Sequence, residues 1–100
     1  MKVSVILPLL ATLATTVTAE NHYWCACQQS SGSSDLIDKN TKICCGRQGG
    51  SFPSYQDVSQ EGTEVSFSGN YCYSSGGGLH GNDFASCCSS LQGSGDSTCW

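Results

Sequence analysis

Apolar residues follow three different patterns along the chain. Residues 3–17 are mostly apolar behind Lys2, centred on Leu7, Leu9, Leu10 and Leu13 and interrupted by Pro8 and several Thr. The segment from Tyr23 to Gln28 alternates instead. Period two puts Tyr23, Cys25 and Cys27 on one side and Trp24 and Ala26 on the other, which predicts a first strand. Two later stretches carry the helical period. Ile37, Thr41 and Cys44 recur at i, i+4, i+7 and predict a helix over 35–45, capped by Ser34 or Asp35 and stopped by Gly46. Phe84, Cys87, Cys88 and Leu91 recur at i, i+3, i+4, i+7 and predict a second helix over 82–91, capped by Asn82 or Asp83, with Gly93 beyond it.

Between the helices, 63–67 and 71–73 flank Ser68-Gly69-Asn70 and read as a hairpin. Residues 98–100 read as a short last strand. Residues 47–62 read as loop, and the Gly/Ser-rich stretches 29–34, 46–50, 74–78 and 93–97 as connections. The predicted order is strand, helix, strand, strand, helix, strand. Two βαβ halves of that kind build a small two-layer βαββαβ sandwich of the α+β class, ferredoxin-like. Its four-stranded antiparallel sheet carries both helices on one face.

The cysteines change the picture most. Eight of them, Cys25, Cys27, Cys44, Cys45, Cys72, Cys87, Cys88 and Cys99, lie within the last 76 residues. The leader at residues 1–19 has the parts of a signal peptide: Lys2, an apolar centre interrupted by Pro8, and the small residues Val17-Thr18-Ala19 before a cleavage point. It is too short and too broken for a membrane span, which takes about 20 apolar residues. Removing it leaves residues 20–100 as one domain, exported and extracellular. An even cysteine count in such a chain reads as a disulfide framework. At this size a hydrophobic core is marginal, and disulfides supply much of the missing stability. Mainly helix-to-strand bridges are expected, with the two members of each Cys-Cys pair reaching different partners. The 105 possible pairings stay open.

Three basic residues against eight acidic ones give residues 20–100 a net charge of −5. That balance argues against nucleic acid and against anionic membranes as partners, and no membrane insertion is expected. Zinc binding is disfavoured because its ligands are reduced thiolates at C-x-x-C or His spacing, which export does not favour. No cofactor is implied. Gly76-Gly77-Gly78 lacks the Lys-Ser/Thr that a phosphate loop needs. If the cysteine side of each strand meets the helices, the opposite face shows Trp24, Ala26, Tyr71, Tyr73 and Trp100. Trp24, Tyr71, Tyr73 and Trp100 are therefore the candidate binding surface, since uncovered aromatic patches mark interaction sites. Homodimerisation through this face is one form of that reading.

The motif series Trp24-Cys25-Ala26-Cys27, Thr41-x-x-Cys44-Cys45-Gly46, Cys72, Phe84-x-x-Cys87-Cys88-Ser89-Ser90-Leu91 and Ser97-Thr98-Cys99 spans residues 24–99. In order and spacing it resembles the killer-toxin-like small secreted effectors of plant-associated fungi, and the alpha subunit of the viral killer toxin carried by a corn smut fungus. The resemblance implies the same βαββαβ fold, secretion by a fungus, and a non-catalytic, virulence-associated role. The protein would bind a host or competitor molecule at the plant–microbe boundary. The cysteine placement differs from the toxin subunit's, so no pairing is carried over. An antimicrobial killer-type toxin is the alternative. A second alternative is a secreted ribonuclease-like protein, for which His22 and His80, with Glu61, Glu64 and Arg47, are the available side chains. Surface histidines without such a role are the simpler reading.

Overall fold

A computed structural model describes residues 21–100; the leader read at residues 1–19 lies outside them. The elements are β1 (Asn21–His22), β2 (Trp24–Gln28), α1 (Asp38–Gln48), β3 (Ser51–Gln56), β4 (Gly69–Tyr73), β5 (Leu79–His80), α2 (Gly81–Ser90) and β6 (Asp96–Cys99). The four longer strands form one antiparallel sheet in the order β3-β4-β2-β6. β2 and β4 are central and β3 and β6 are edges, the arrangement of a split βαβ sandwich. β1 and β5 make a separate two-stranded ribbon beside it. The architecture matches the α+β two-layer reading, with the small ribbon added.

The hairpin differs from the expected one. The partner of β4 is 51–56, not 63–67. Pro53 makes that segment look like loop because proline cannot donate to a ladder. It is tolerated here because β3 is an edge strand with one unpaired side. The register between Ser51 and Ser54 is irregular at this point. Val65 and Phe67, which lend 63–67 its strand-like look, do not pair. They belong to a connection that lies over the sheet.

The helix limits also shift. α1 starts at Asp38 rather than 35, because 35–37 is extended and pairs with the end of β2. Gln29 N donates to Asp35 O, Ile37 N donates to Cys27 O, and Leu36 bridges Gln28. Neither Ser34 nor Asp35 caps the helix; Ile37 holds that place without a side-chain bond. The helix runs through Gly46 and ends at Gly49. There the left-handed φ of 77° turns the chain and lets the Gly49 N–H reach Cys45 O. α2 likewise starts after His80 rather than with an Asn82 or Asp83 cap, and Leu91 is already extended.

The predicted helical stripes do face the sheet. Thr41, Cys44, Phe84 and Cys88 are buried, and Ile37, Cys87 and Leu91 pack partly buried against them. α1 docks with polar contacts as much as apolar ones. Thr41 Oγ1 accepts from Cys27 N at 2.9 Å and donates to Ile37 O at 2.8 Å. Asn40 Nδ2 donates to Ser94 Oγ at 2.8 Å and to Gln92 O at 3.0 Å, and Ser94 Oγ donates to Cys88 O at 2.6 Å. The buried side chains of Asn40, Thr41 and Ser94 thus each find a partner, as low-dielectric burial demands.

All eight cysteines are bridged. Cys27–Cys88 and Cys45–Cys72 join a strand to a helix, Cys44–Cys87 joins the two helices, and Cys25–Cys99 joins paired residues of β2 and β6. Half are therefore helix-to-strand. The members of each adjacent pair reach different partners, as expected. Gly50 shows how closely the chain wraps these bonds: a Cβ there would sit 2.5 Å from Cys72 Sγ and 3.1 Å from Cys45 Sγ. No helix among the described residues is long and apolar enough to cross a membrane.

Candidate functional site: an aromatic hollow on the helix-free face

Pairing register determines which side chains share the face opposite the helices. Trp24 stands beside Tyr73, and Ala26 beside Thr98. With Cys25, Cys27, Cys72 and Cys99 committed to the helical side, Trp24, Ala26, Tyr71, Tyr73, Thr98 and Trp100 alternate onto the other. The predicted grouping of aromatics is therefore present. Its exposure is corrected at two positions: Ala26 and Tyr71 are fully buried. The connection 57–68 covers them, with Val65 6% exposed against both. Trp24, Leu36 and Trp100 pack partly buried around that small cluster.

Hydrogen bonds hold the cover down. Tyr71 Oη donates to Phe67 O at 2.7 Å. Burial pushes the Tyr71 hydroxyl up to about 12. The Trp100 indole N–H is buried near that hydroxyl but outside hydrogen-bonding geometry. At the base of the loop the Asp57 carboxylate accepts from Ser59 N at 2.9 Å, Ser59 Oγ at 2.8 Å and Ser68 Oγ at 3.3 Å. Val58 N donates to Ser68 Oγ, and Thr63 Oγ1 to Asp57 O. These bonds, the Ser59 amide foremost, hold the Asp57 carboxyl below its ordinary range. The two ends of the loop are tied together in the manner of an Ω-loop. Sequence reasoning missed this clasp. Its one visible signal is Asp57 two residues before Ser59, an Asx-turn pattern.

The cover stops short of one end of the face. A hollow of about 390 Å³ remains there, lined by Tyr23, Trp24, Gln56, Gly62, Glu64 and Tyr73. The Trp24 and Tyr73 rings, both of its lining, pack against each other with centroids 4.3 Å apart and planes tilted by 36°. Tyr23 lies at the bend between β1 and β2. Its backbone N–H donates to Trp100 O and its carbonyl accepts from Ser74 N. Its ring rests on Gly77, where an added Cβ would come within 3.1 Å of ring carbons. Of the four predicted surface aromatics, then, Trp24 and Tyr73 line the hollow. Tyr71 lies beneath the cover and Trp100 packs beside it. Tyr23, Gln56, Gly62 and Glu64 were not foreseen as its lining. The last three reach the hollow only because β3 and the 57–68 loop lie where they do.

A family model matches residues 22–98. The chain belongs to the family of unknown function DUF5948. No curated protein and no solved structure matches it. The matched span takes in every cysteine but Cys99, and with them both the bridged core and the hollow.

The remaining candidates do not assemble into a site. His22 pairs with Leu79 and His80 with Asn21, so the two histidines point to opposite faces of the β1–β5 ribbon. Arg47 is on the last turn of α1, where Nη1 lies 3.4 Å from Cys87 Sγ. Glu61 and Glu64 are on the 57–68 loop. The sulfurs of Cys27, Cys44 and Cys88 do crowd within 4.8 Å of one another. Each is already in an S–S bond, which removes the thiolate a metal would need.

Proposed function

We propose that this DUF5948 protein is a secreted, non-catalytic binding protein of the fungal effector type. It would act on a host or competitor molecule through the helix-free face of its sheet. The observation that carries the reading is the hollow walled by Trp24 and Tyr73. It is a concave aromatic site on a sheet that three of the four disulfides tie, within itself or to the helices. Preorganised aromatic walls bind with little loss of side-chain entropy. Disulfides persist in oxidising surroundings, which supports an extracellular place of action, and a rigid frame keeps the local opening that proteases need rare. The resemblance of the cysteine and aromatic series to that of killer-toxin-like effectors is in keeping with this reading.

The test is competitive capture. The oxidised protein, and a Trp24→Ala/Tyr73→Ala variant of equal disulfide content, are immobilised and offered plant and microbial extracts. Partners held by the first and absent from the second support the proposal. Identical partner sets remove it. Intact-mass analysis of the natural product addresses export: a chain starting at Glu20 without free thiols is expected.

A further inference from the structure

Among the described residues the bases are confined to one layer, whereas acids occur on both, Asp38 and Asp83 being on the helices. The three basic residues, Lys39, Lys42 and Arg47, are all on α1, on the helical side. The loop that borders the hollow carries Asp57, Glu61 and Glu64 and no base. Asp57 is engaged by Ser59 and Ser68. Glu64 lines the hollow with Tyr23, Trp24 and Tyr73; it is exposed to solvent, and no described residue forms a hydrogen bond or an ion pair with its carboxylate. Three aromatic rings and one unpaired carboxylate around a cavity make a specific combination. Ring faces carry negative quadrupole density and attract a cation within about 6 Å of the centroid, most strongly at Trp. A weakly hydrated ammonium bearing methyl groups gains most, because it also buries apolar surface against the rings. A volume of about 390 Å³ lies at the small end of the range for ligand pockets, roughly 300–1,000 Å³.

We infer that the hollow is a binding site for a substituted-ammonium group, held by the Trp24, Tyr73 and Tyr23 rings with Glu64 as its counter-charge. This deepens the proposed binding role and rests on it. Gln56, whose Nε2 is turned to the Tyr55 carbonyl, keeps its amide oxygen free to accept from a polar part of the same ligand. The net charge of −4 for the whole chain adds long-range attraction of the same sign.

The test uses choline as probe and its uncharged carbon isostere, dimethylbutanol, as control, titrated into the oxidised protein and followed by the Trp24 and Tyr73 ring resonances. Choline is expected to shift both rings, with the isostere about tenfold weaker or worse. Glu64→Gln touches no contact of the fold and should weaken choline roughly three- to tenfold. Added salt should weaken choline binding to the native protein far more than to this variant. Equal binding of choline and its isostere would overturn the cation assignment. So would ring shifts with a neutral oligosaccharide but none with choline. Either result leaves the face itself as a binding site. No ring shift with choline, beside a Trp24-dependent partner in the capture experiment, would remove this inference alone. Loss of that partner as well would remove both.

Discussion

On the helical side of the sheet, six of the eight buried core residues are cysteines, and only Leu79 and Phe84 are large hydrocarbons. On the other side the buried centre is Ala26, Val65 and Tyr71, with no sulfur at all. The helical side is closed covalently. The opposite side is closed by one loop, held by one apolar anchor, one phenol hydrogen bond and a carboxylate clasp. A disulfide stabilises by about 2–4 kcal/mol, chiefly through the unfolded chain, whatever happens near it. A buried valine and a few partly exposed hydrogen bonds stabilise only the segment they hold. The comparison therefore predicts a molecule whose frame is hard to unfold and whose 57–68 cover opens by itself. Such low-stability segments are where ligand sites are commonly placed.

The most severe way to break this contrast is full reduction. With so little hydrocarbon in the helical core, the reduced chain should lose both layers together. Near-ultraviolet circular dichroism should collapse on adding reductant and return on reoxidation. A reduced chain that keeps native tertiary signal would show that packing, not sulfur, closes the helical side.

Next in size is Val65→Ala. Removing the loop's apolar anchor should cost about 1–2 kcal/mol of local stability. Limited proteolysis should then cut faster within 57–68, while cleavage elsewhere and the melting midpoint stay close to those of the native protein. Cleavage rising evenly along the chain would mean that loop and frame unfold as one unit.

These two tests also mark what was legible in the residues. The helical side could be read in advance, because its determinants are periodic. Cys25 and Cys27 alternate in β2, Cys44 falls in the Ile37–Thr41 stripe, and Cys88 falls in the Phe84–Leu91 stripe. The aromatic face was legible as a set by the same alternation. Its cover was not. Val65 and Phe67 have the spacing of a strand, and nothing local distinguishes an apolar residue that pairs in a sheet from one that lies across it. Pro53 hid the true edge strand, since the rule against proline in strands depends on whether the strand is central. The pairing of cysteines was open for a similar reason: only the strand order places Cys99 beside Cys25. The lining of the hollow by Gln56 and Glu64 depends on both misread segments, so it was out of reach.

A smaller effect separates the phenol's role from the valine's. Tyr71→Phe removes the bond to Phe67 O and should cost about 1 kcal/mol near neutrality. Its pH dependence is the sharper readout. The folded state holds the Tyr71 proton more tightly than the unfolded chain, whose phenol titrates near 10. Stability from this group is fully present below pH 10 and drains away as pH rises through about 12. Fast alkaline unfolding scans should show the native protein losing stability across that window. The Phe variant should be less sensitive there, because it has no phenolate to accommodate. Equal alkaline sensitivity would mean that Tyr71 is not held from solvent by the loop.

The least perturbing change is Asp57→Asn, and it asks whether the clasp or the anchor holds the loop. The Asp57 carboxyl titrates below its ordinary 3.8, so its contribution is present above that value and is lost as pH falls through the lower, folded one. In the native protein the Ser59 amide, which donates to this carboxylate, should shift its resonance over that acidic window, and its exchange with solvent should quicken. In the Asn variant the same amide can still donate to a neutral oxygen, so the acidic shift should vanish. Amide exchange should rise at 58–59 and little beyond. Because the carboxylate is open to water, the melting midpoint should barely move. Cleavage within 57–68 quickened as much as by Val65→Ala would reverse the assignment. The face opposite the helices would then be held by a charge-assisted turn rather than by a buried side chain, and its opening, with access to the Trp24–Tyr73 hollow, would depend on acidity.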